Sequence, residues 1–329
     1  MNKLERTILR SAPVAFLSRK SKALISPGFR GLPLYDVVIF FFRQVNKVGL
    51  TERAAAISFN LIMALPAGLL FLFSLIPYFP KSGNIKTEIL HLFKDITPNS
   101  STYHFIENML DDLLNTQHIG VFSLGFFFLI FYASNAMMGV IHTFDKSIQE
   151  HKKNFLHKRM RAIRLTFILI ILILLSSLVL LLGKDQLTYL LNNVFKIKKE
   201  SRISWWSGVR WLIIVSLLFY GIAFIYKFAP SVKKRWALLS PGSILATVLT
   251  LITAILFSYW VNNFAGYNKV YGSIGTMLII MILMYFNSCI LLIGFELNVS
   301  ITYLTHHAEE RNLKEAEDLK AKKNAANHL

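Results

Sequence analysis

The chain has 329 residues, 54% of them hydrophobic and only 16% charged, and a mean hydropathy of +0.49. That balance excludes an ordinary water-soluble domain. The net charge of +18 suits a nucleic-acid binder, but only until the basic residues are placed along the chain, where most flank apolar runs.

Residues 1–35 are basic and broken by Pro13, Pro27 and Pro33. They hold no continuous apolar stretch ending in a small-residue cleavage site, so no cleavable signal peptide is expected. The segment reads as a cytoplasmic tail, either lying on anionic lipid or solvated. Asp36–Val48, DVVIFFFRQVNKV, has an apolar and a cationic face and is too short to span. It predicts an interfacial helix leading into the membrane.

Six spanning helices are expected, each needing about 20 apolar residues. They are Ala54–Phe79, Ile119 to about Phe144, about Leu165 to Leu182, Trp211–Tyr226, about Ser243 to Val261, and Ile274 to about Asn298. The last is the clearest, since Thr276–Phe295 is free of formal charge and Glu296 closes it. Pro66 should kink the first span, and the freed carbonyl would place that span inside the bundle, with a merely tolerated kink as the alternative. Between the first two spans, Ile85–Ile96 and Thr102–Leu114 read as amphipathic pieces broken at Pro98. Residues 304–329 form a charged helical tail. The expected architecture is all-α and polytopic: a tail (1–35), a six-helix membrane domain (36–303) and a second tail (304–329).

Placed on this topology, 26 of the 36 lysines and arginines fall on one side and 10 on the other. The positive-inside rule then puts both termini in the cytoplasm. Lys184–Arg210, with Lys196, Lys198 and Lys199, runs against the trend. The expected partners are the lipid bilayer and anionic lipid at its cytoplasmic face, with no nucleic acid. Oligomeric state is left open.

Polar residues within spans are either a substrate path or glue between helices. Asn135, Gly139 and His142 share one face of the second span. Asn287 lies mid-run in the sixth, beside a stripe of Tyr285, Ser288, Leu292 and Glu296. The connection before the sixth span carries Asn268 and Tyr271. Glu296 is expected to pair with a cation, Lys227 or Arg235 in preference to Arg53. No Asp, Glu, Lys or Arg stands mid-span, which argues against a buried-carboxylate proton relay. The nine histidines form no H-E-x-x-H, there is no G-x-S-x-G, and the single Cys289 allows no disulfide framework. No catalytic residue, metal or cofactor is assigned, and the chain is not expected to be an enzyme.

Several stretches together resemble the YihY/BrkB family of bacterial inner-membrane proteins. They are RAAAISFNLIMALP from Arg53 to Pro66, ASNAMMGVIHTF from Ala133 to Phe144, YKFAP from Tyr226 to Pro230, and Arg235-Trp236 with Pro241-Gly242. Tyr267-Asn268, YGSIG from Tyr271 to Gly275, and GFELN from Gly294 to Asn298 complete them. The resemblance covers about residues 36–303 and implies six spans in the bacterial inner membrane. Family members have been called virulence-associated factors or candidate transporters, and an older label is ribonuclease BN, a tRNA-processing nuclease. Asn60 departs from the aromatic or small residue expected there, and joins the candidate path residues. The expected function is movement of a lipid-like or amphipathic substrate. A membrane scaffold with a role in envelope integrity is the alternative, and a ribonuclease stands third.

Overall fold

The computed structural model describes residues 29, 31–47, 49–75, 104, 107–108, 111, 119–148, 154–193, 202–232, 235–263 and 266–326. Seven helices hold most of these residues, with no strand among the described ones. They are α1 (Leu34–Lys47), α2 (Leu50–Leu75), α3 (Ile119–Ser147), α4 (Phe155–Asn193), α5 (Arg202–Phe228), α6 (Pro241–Asn263) and α7 (Gly266–Ala326). The all-α class is therefore as the composition implies. Of the amphipathic pieces expected after the first span, Ile85–Ile96 lies outside the described residues. Within the other, His104, Glu107, Asn108 and Asp111 are helical.

Pro33 precedes α1, and Asp36 sits in its first turn, where a carboxylate favours the helix dipole. Gly49 then adopts φ +64°, a left-handed conformation natural to glycine. The chain turns there, and α2 leaves α1 at 70°. Helix α2 continues through Pro66, which is exposed on its outer side. The proline therefore does not break the helix and does not point into the bundle. Arg53, Ala54, Ile57 and Ser58 form the inward face instead.

Helix α6 begins on a capping box. The Ser243 amide donates to Ser240 Oγ at 3.2 Å, and the Ser240 amide donates to Ser243 Oγ at 3.1 Å. Pro241, with no N–H to satisfy, occupies the first helical position. The next amide, Gly242, donates to Asn298 Oδ1 of α7 at 2.9 Å. A second helix thus satisfies a donor that would otherwise be orphaned where water is scarce.

Helix α7 is longer than expected. It joins the end of the expected connection, the sixth span and the charged tail into one rod of 61 residues, about 90 Å at 1.5 Å per residue. The connection expected before the sixth span, with Asn268 and Tyr271, is helical from Gly266 onward. No proline or glycine interrupts Glu296–Ala326, and the tail is rich in Glu, Lys, Leu and Ala, all strong helix formers. The boundary at 303/304 is therefore not a structural break.

Four helices among the described residues are long and apolar enough to cross a membrane, or five if the bent α1–α2 pair counts as one span. The count of six is thus not reached among them. The first expected span runs past Leu75 onto residues outside the described ones. The third runs along α4 past Ser176, where side chains are not described.

The best-buried part of the molecule lies at one end, where α2, α4 and α6 begin and α3 and α5 finish. Here Phe144 and Phe295 stack with ring centroids 3.6 Å apart. Trp236 lies 5.4 Å and Tyr226 6.2 Å from Phe295. Away from this end many large apolar side chains face outward, among them Phe127, Leu175, Leu212, Ile255 and Met277. Such a surface suits hydrocarbon as its solvent.

Helices α6 and α7 touch backbone to backbone. A Cβ on Gly242 would lie 2.0 Å from the Gly294 carbonyl oxygen, and one on Gly294 would lie 2.4 Å from the Tyr226 hydroxyl. Gly242→Ala should therefore cost about 3 kcal/mol, the upper part of the overpacking range. Gly208→Ala on α5, where a Cβ meets nothing within 4 Å, should be neutral or stabilise by up to about 1 kcal/mol. Thermal unfolding in mild detergent, comparing the two variants, checks this.

Candidate functional site

Three helices deliver one buried polar cluster. The second turn of α2 presents Arg53. The last turn of α3 presents Thr143 and Ser147, four residues apart and so on one face. Helix α7 presents Glu296, which is 1% exposed, against 7% for Arg53. Arg53 Nη1 donates to Glu296 Oε1 at 3.0 Å. Arg53 Nη2 donates to Ser147 Oγ at 2.7 Å and to the Thr143 carbonyl. Ser147 Oγ donates in turn to Glu296 Oε1. One carboxylate oxygen thus accepts from two helices. Glu296 Oε2 and Arg53 Nε are buried, with no hydrogen-bond partner among the described residues.

This pairing corrects the expected preference for Lys227 or Arg235. Both of those cations lie by the Phe228 ring, at 5.7 Å and 5.4 Å from its centroid. The reason is helical phase. Tyr226 takes the inward position on α5, donating its hydroxyl to the Leu291 carbonyl at 2.7 Å. Lys227, about 100° further round the helix, turns away. In the following segment Trp236 is buried and Arg235 is exposed. Helix α2 packs directly on α7, so Arg53 is the cation that reaches the carboxylate.

A second cluster surrounds Asp145, two residues from Thr143. Its carboxylate lies 3.0 Å from Lys158 Nζ and 3.6 Å from Arg161 Nη2, both near the start of α4. It also accepts from the Ser231 amide at 3.2 Å. Arg161 Nη1 donates to the Ala229 carbonyl at 2.9 Å. Asp145 thereby ties α3, α4 and the segment after α5 together. A third cluster centres on Asn298, which bonds Gly242 as above and donates to Ser240 Oγ at 2.9 Å.

The other expected residues fall as follows. Asn135 accepts from Arg159 Nη1 at 2.6 Å. Asn60 donates to its own helix at the Ala56 carbonyl, 2.8 Å away, and lies where a Cβ on Gly139 would meet its Nδ2 at 3.0 Å. Asn287 likewise donates within α7, to the Leu283 carbonyl at 3.0 Å. His142 is exposed. Asn268 and Tyr271 are on α7, with side chains outside the described ones. Among the described residues, no group of three His, Cys, Asp or Glu side chains could hold a metal ion.

Sequence reasoning missed Thr143, Ser147, Asp145 and Asn298. Two signals were present. Gly294 and Asn298 stand four apart, on the face that meets α6. Thr143 and Ser147 stand four apart at the polar end of an apolar run. Neither spacing says which helix lies opposite.

The profile of a family described as Virulence factor BrkB matches residues 41–320. A Bacillus subtilis protein named ribonuclease-like YfkH is 26% identical over 248 residues, 75% of this chain and 88% of the relative. A UPF0761 membrane protein of Coxiella burnetii is 21% identical over 265 residues, 78% of this chain and 89% of the relative. Both alignments cover most of both chains, so the likeness is to whole proteins rather than to one motif. No solved structure matches.

Truncating either Arg53 or Glu296 leaves a buried charge without its partner, so Arg53→Ala and Glu296→Ala should each cost about 3–5 kcal/mol. The double variant should cost clearly less than the two added, because no orphan charge remains. Equilibrium unfolding of the four proteins in detergent measures the coupling. Additive losses would mean that the two side chains do not interact.

Proposed function

The chain belongs to the virulence factor BrkB family, and on that footing we propose that this membrane protein moves, or helps move, a lipid-like or amphipathic substrate. We place it in the bacterial inner membrane with both termini cytoplasmic. The observation that supports the reading is the Arg53–Glu296 pair. It is buried at the junction of α2, α3 and α7, and it leaves Glu296 Oε2 without a partner among the described residues. Taking two charges out of water costs several kcal/mol per ion, and apolar side chains of similar volume are often at least as stable in such places. A pair kept at that cost, where three helices meet, suits a latch that opens during a working cycle. The outward surface is apolar over most of the bundle, so a substrate with apolar chains can approach from the side. We assign no catalytic residue and no cofactor. The name carried by the Bacillus subtilis relative is a property of that relative.

A second reading is a scaffold for other envelope proteins. The far part of α7 supports it, since Glu309–Glu317 is exposed throughout. Isolation in mild detergent with a stoichiometric partner, together with unaltered lipid distribution in a deletion strain, would favour the scaffold.

Reconstitution into liposomes carrying labelled lipids tests the leading reading. The wild type should speed exchange between leaflets for at least one lipid. The paired apolar replacement Arg53→Met with Glu296→Leu should fold about as stably as the wild type, yet lose most of that exchange. Full exchange by the apolar pair would mean that the ion pair is only a clamp. No exchange for any lipid by the wild type would count heavily against transport.

A further inference from the structure

Two contacts set the register between α4 and α5. Arg161 reaches the Ala229 carbonyl, and Gly221 lies opposite Leu169, whose Cδ2 a Cβ would meet at 4.0 Å. From the first contact to the second, α4 advances eight residues and α5 goes back eight, so the helices run antiparallel without slippage. By the same step Arg164 comes level with Tyr226. Between the helices lies an open groove of about 230 Å³, lined by Leu172, Leu175, Leu212, Leu217 and Tyr220, with Ser216 among them.

The outward stripe of α4 reads Leu156, Met160, Arg164, Phe167, Ile171 and Leu175, all exposed and at helical spacing. Arg164 is the one cation in it. Lys158 and Arg161 are held by Asp145, and Arg159 by Asn135. Among the described residues Arg164 has no hydrogen bond and no ion pair. It immediately precedes the apolar run that begins at Leu165. Leu175, which lines the groove, lies eleven residues on, about 20° round the helix and so on the same face, about 16 Å deeper. Helical side chains lean towards their own N-terminus, so the guanidinium of Arg164 leans towards the level where lipid headgroups lie. A planar five-donor fork above an apolar channel matches an anionic phosphate joined to an acyl chain.

We propose that the α4–α5 groove binds a phosphate-headed membrane lipid, with its phosphate on Arg164 and one acyl chain along Leu172, Leu175 and Leu217. This names the substrate class for the function proposed above and rests on that reading. Binding is therefore measured apart from movement. The full-length protein, purified in dodecyl maltoside, is mixed with phosphatidylglycerol, or with diacylglycerol of the same chains, and retained lipid is counted by native mass spectrometry. The wild type should retain phosphatidylglycerol over diacylglycerol. Arg164→Ala should lower that retention about tenfold, as for loss of a charge-assisted hydrogen bond. Arg164→Lys, which keeps the charge without the fork, should lower it less. Leu217→Trp, which fills the groove, should lower retention of both lipids. Equal retention of the two lipids by the wild type, or phosphatidylglycerol held undiminished by Arg164→Ala or by Leu217→Trp, would overturn the proposal. Selective retention without leaflet exchange in liposomes would support the site and count against movement.

Discussion

One carboxylate organises the charged end of the bundle. Glu296 is almost fully enclosed, and an ionised side chain in such a place must have a donor. It has two, the guanidinium of Arg53 and the hydroxyl of Ser147. Satisfying it requires the first turns of α2 and the last turn of α3 to meet α7 at one level. Once they do, the neighbours are committed. Phe295, next to Glu296, stacks on Phe144, next to Thr143. Tyr226 and Trp236 then close round the same ring. The polar junction and the aromatic core are thus adjacent layers of one contact.

A second constraint comes from the solvent. In hydrocarbon the attraction between helices is packing and hydrogen bonding rather than expulsion of water, so close approach matters more than apolar area. Gly242 against Gly294 brings α6 and α7 into backbone contact, and Gly139 leaves room for Asn60 between α2 and α3. At the first of these crossings Asn298 satisfies both the Gly242 amide and the Ser240 hydroxyl. Many remaining hydroxyls and amides turn back onto their own helices. Ser58, Ser134, Thr166, Thr247 and Ser288 each bond a carbonyl one turn earlier. Polar residues inside spans are thereby divided. Most are neutralised locally, and a few at the charged end cross between helices, where opening the bundle would break them.

Much was legible from periodicity and length alone. The all-helical class, the positions of the apolar runs and the break between α1 and α2 all follow from residue type. Gly49 is an example, since a left-handed turn between two helices calls for glycine wherever the chain goes next. The continuity of α7 was legible too, in a tail of strong helix formers without a breaker, but it is easily divided wrongly at the point where apolar residues give way to charged ones. The choice of Glu296's partner was not legible. Arg53, Lys227 and Arg235 stand at similar depths by residue count, and only azimuth distinguishes them.

That difference marks what each level decided. Residue type alone makes this a helical membrane protein, because uncharged runs of about 20 residues suit a spanning helix and are too long for a barrel strand. It also determined that Glu296 needs a cation, because burial of a lone charge is too costly. The tertiary structure decided which cation, and which helices meet at Gly242 and Gly294. Side-chain phase and helix adjacency depend on contacts between distant residues, such as Arg53 and Glu296, 243 positions apart, and a local pattern carries no information at that range.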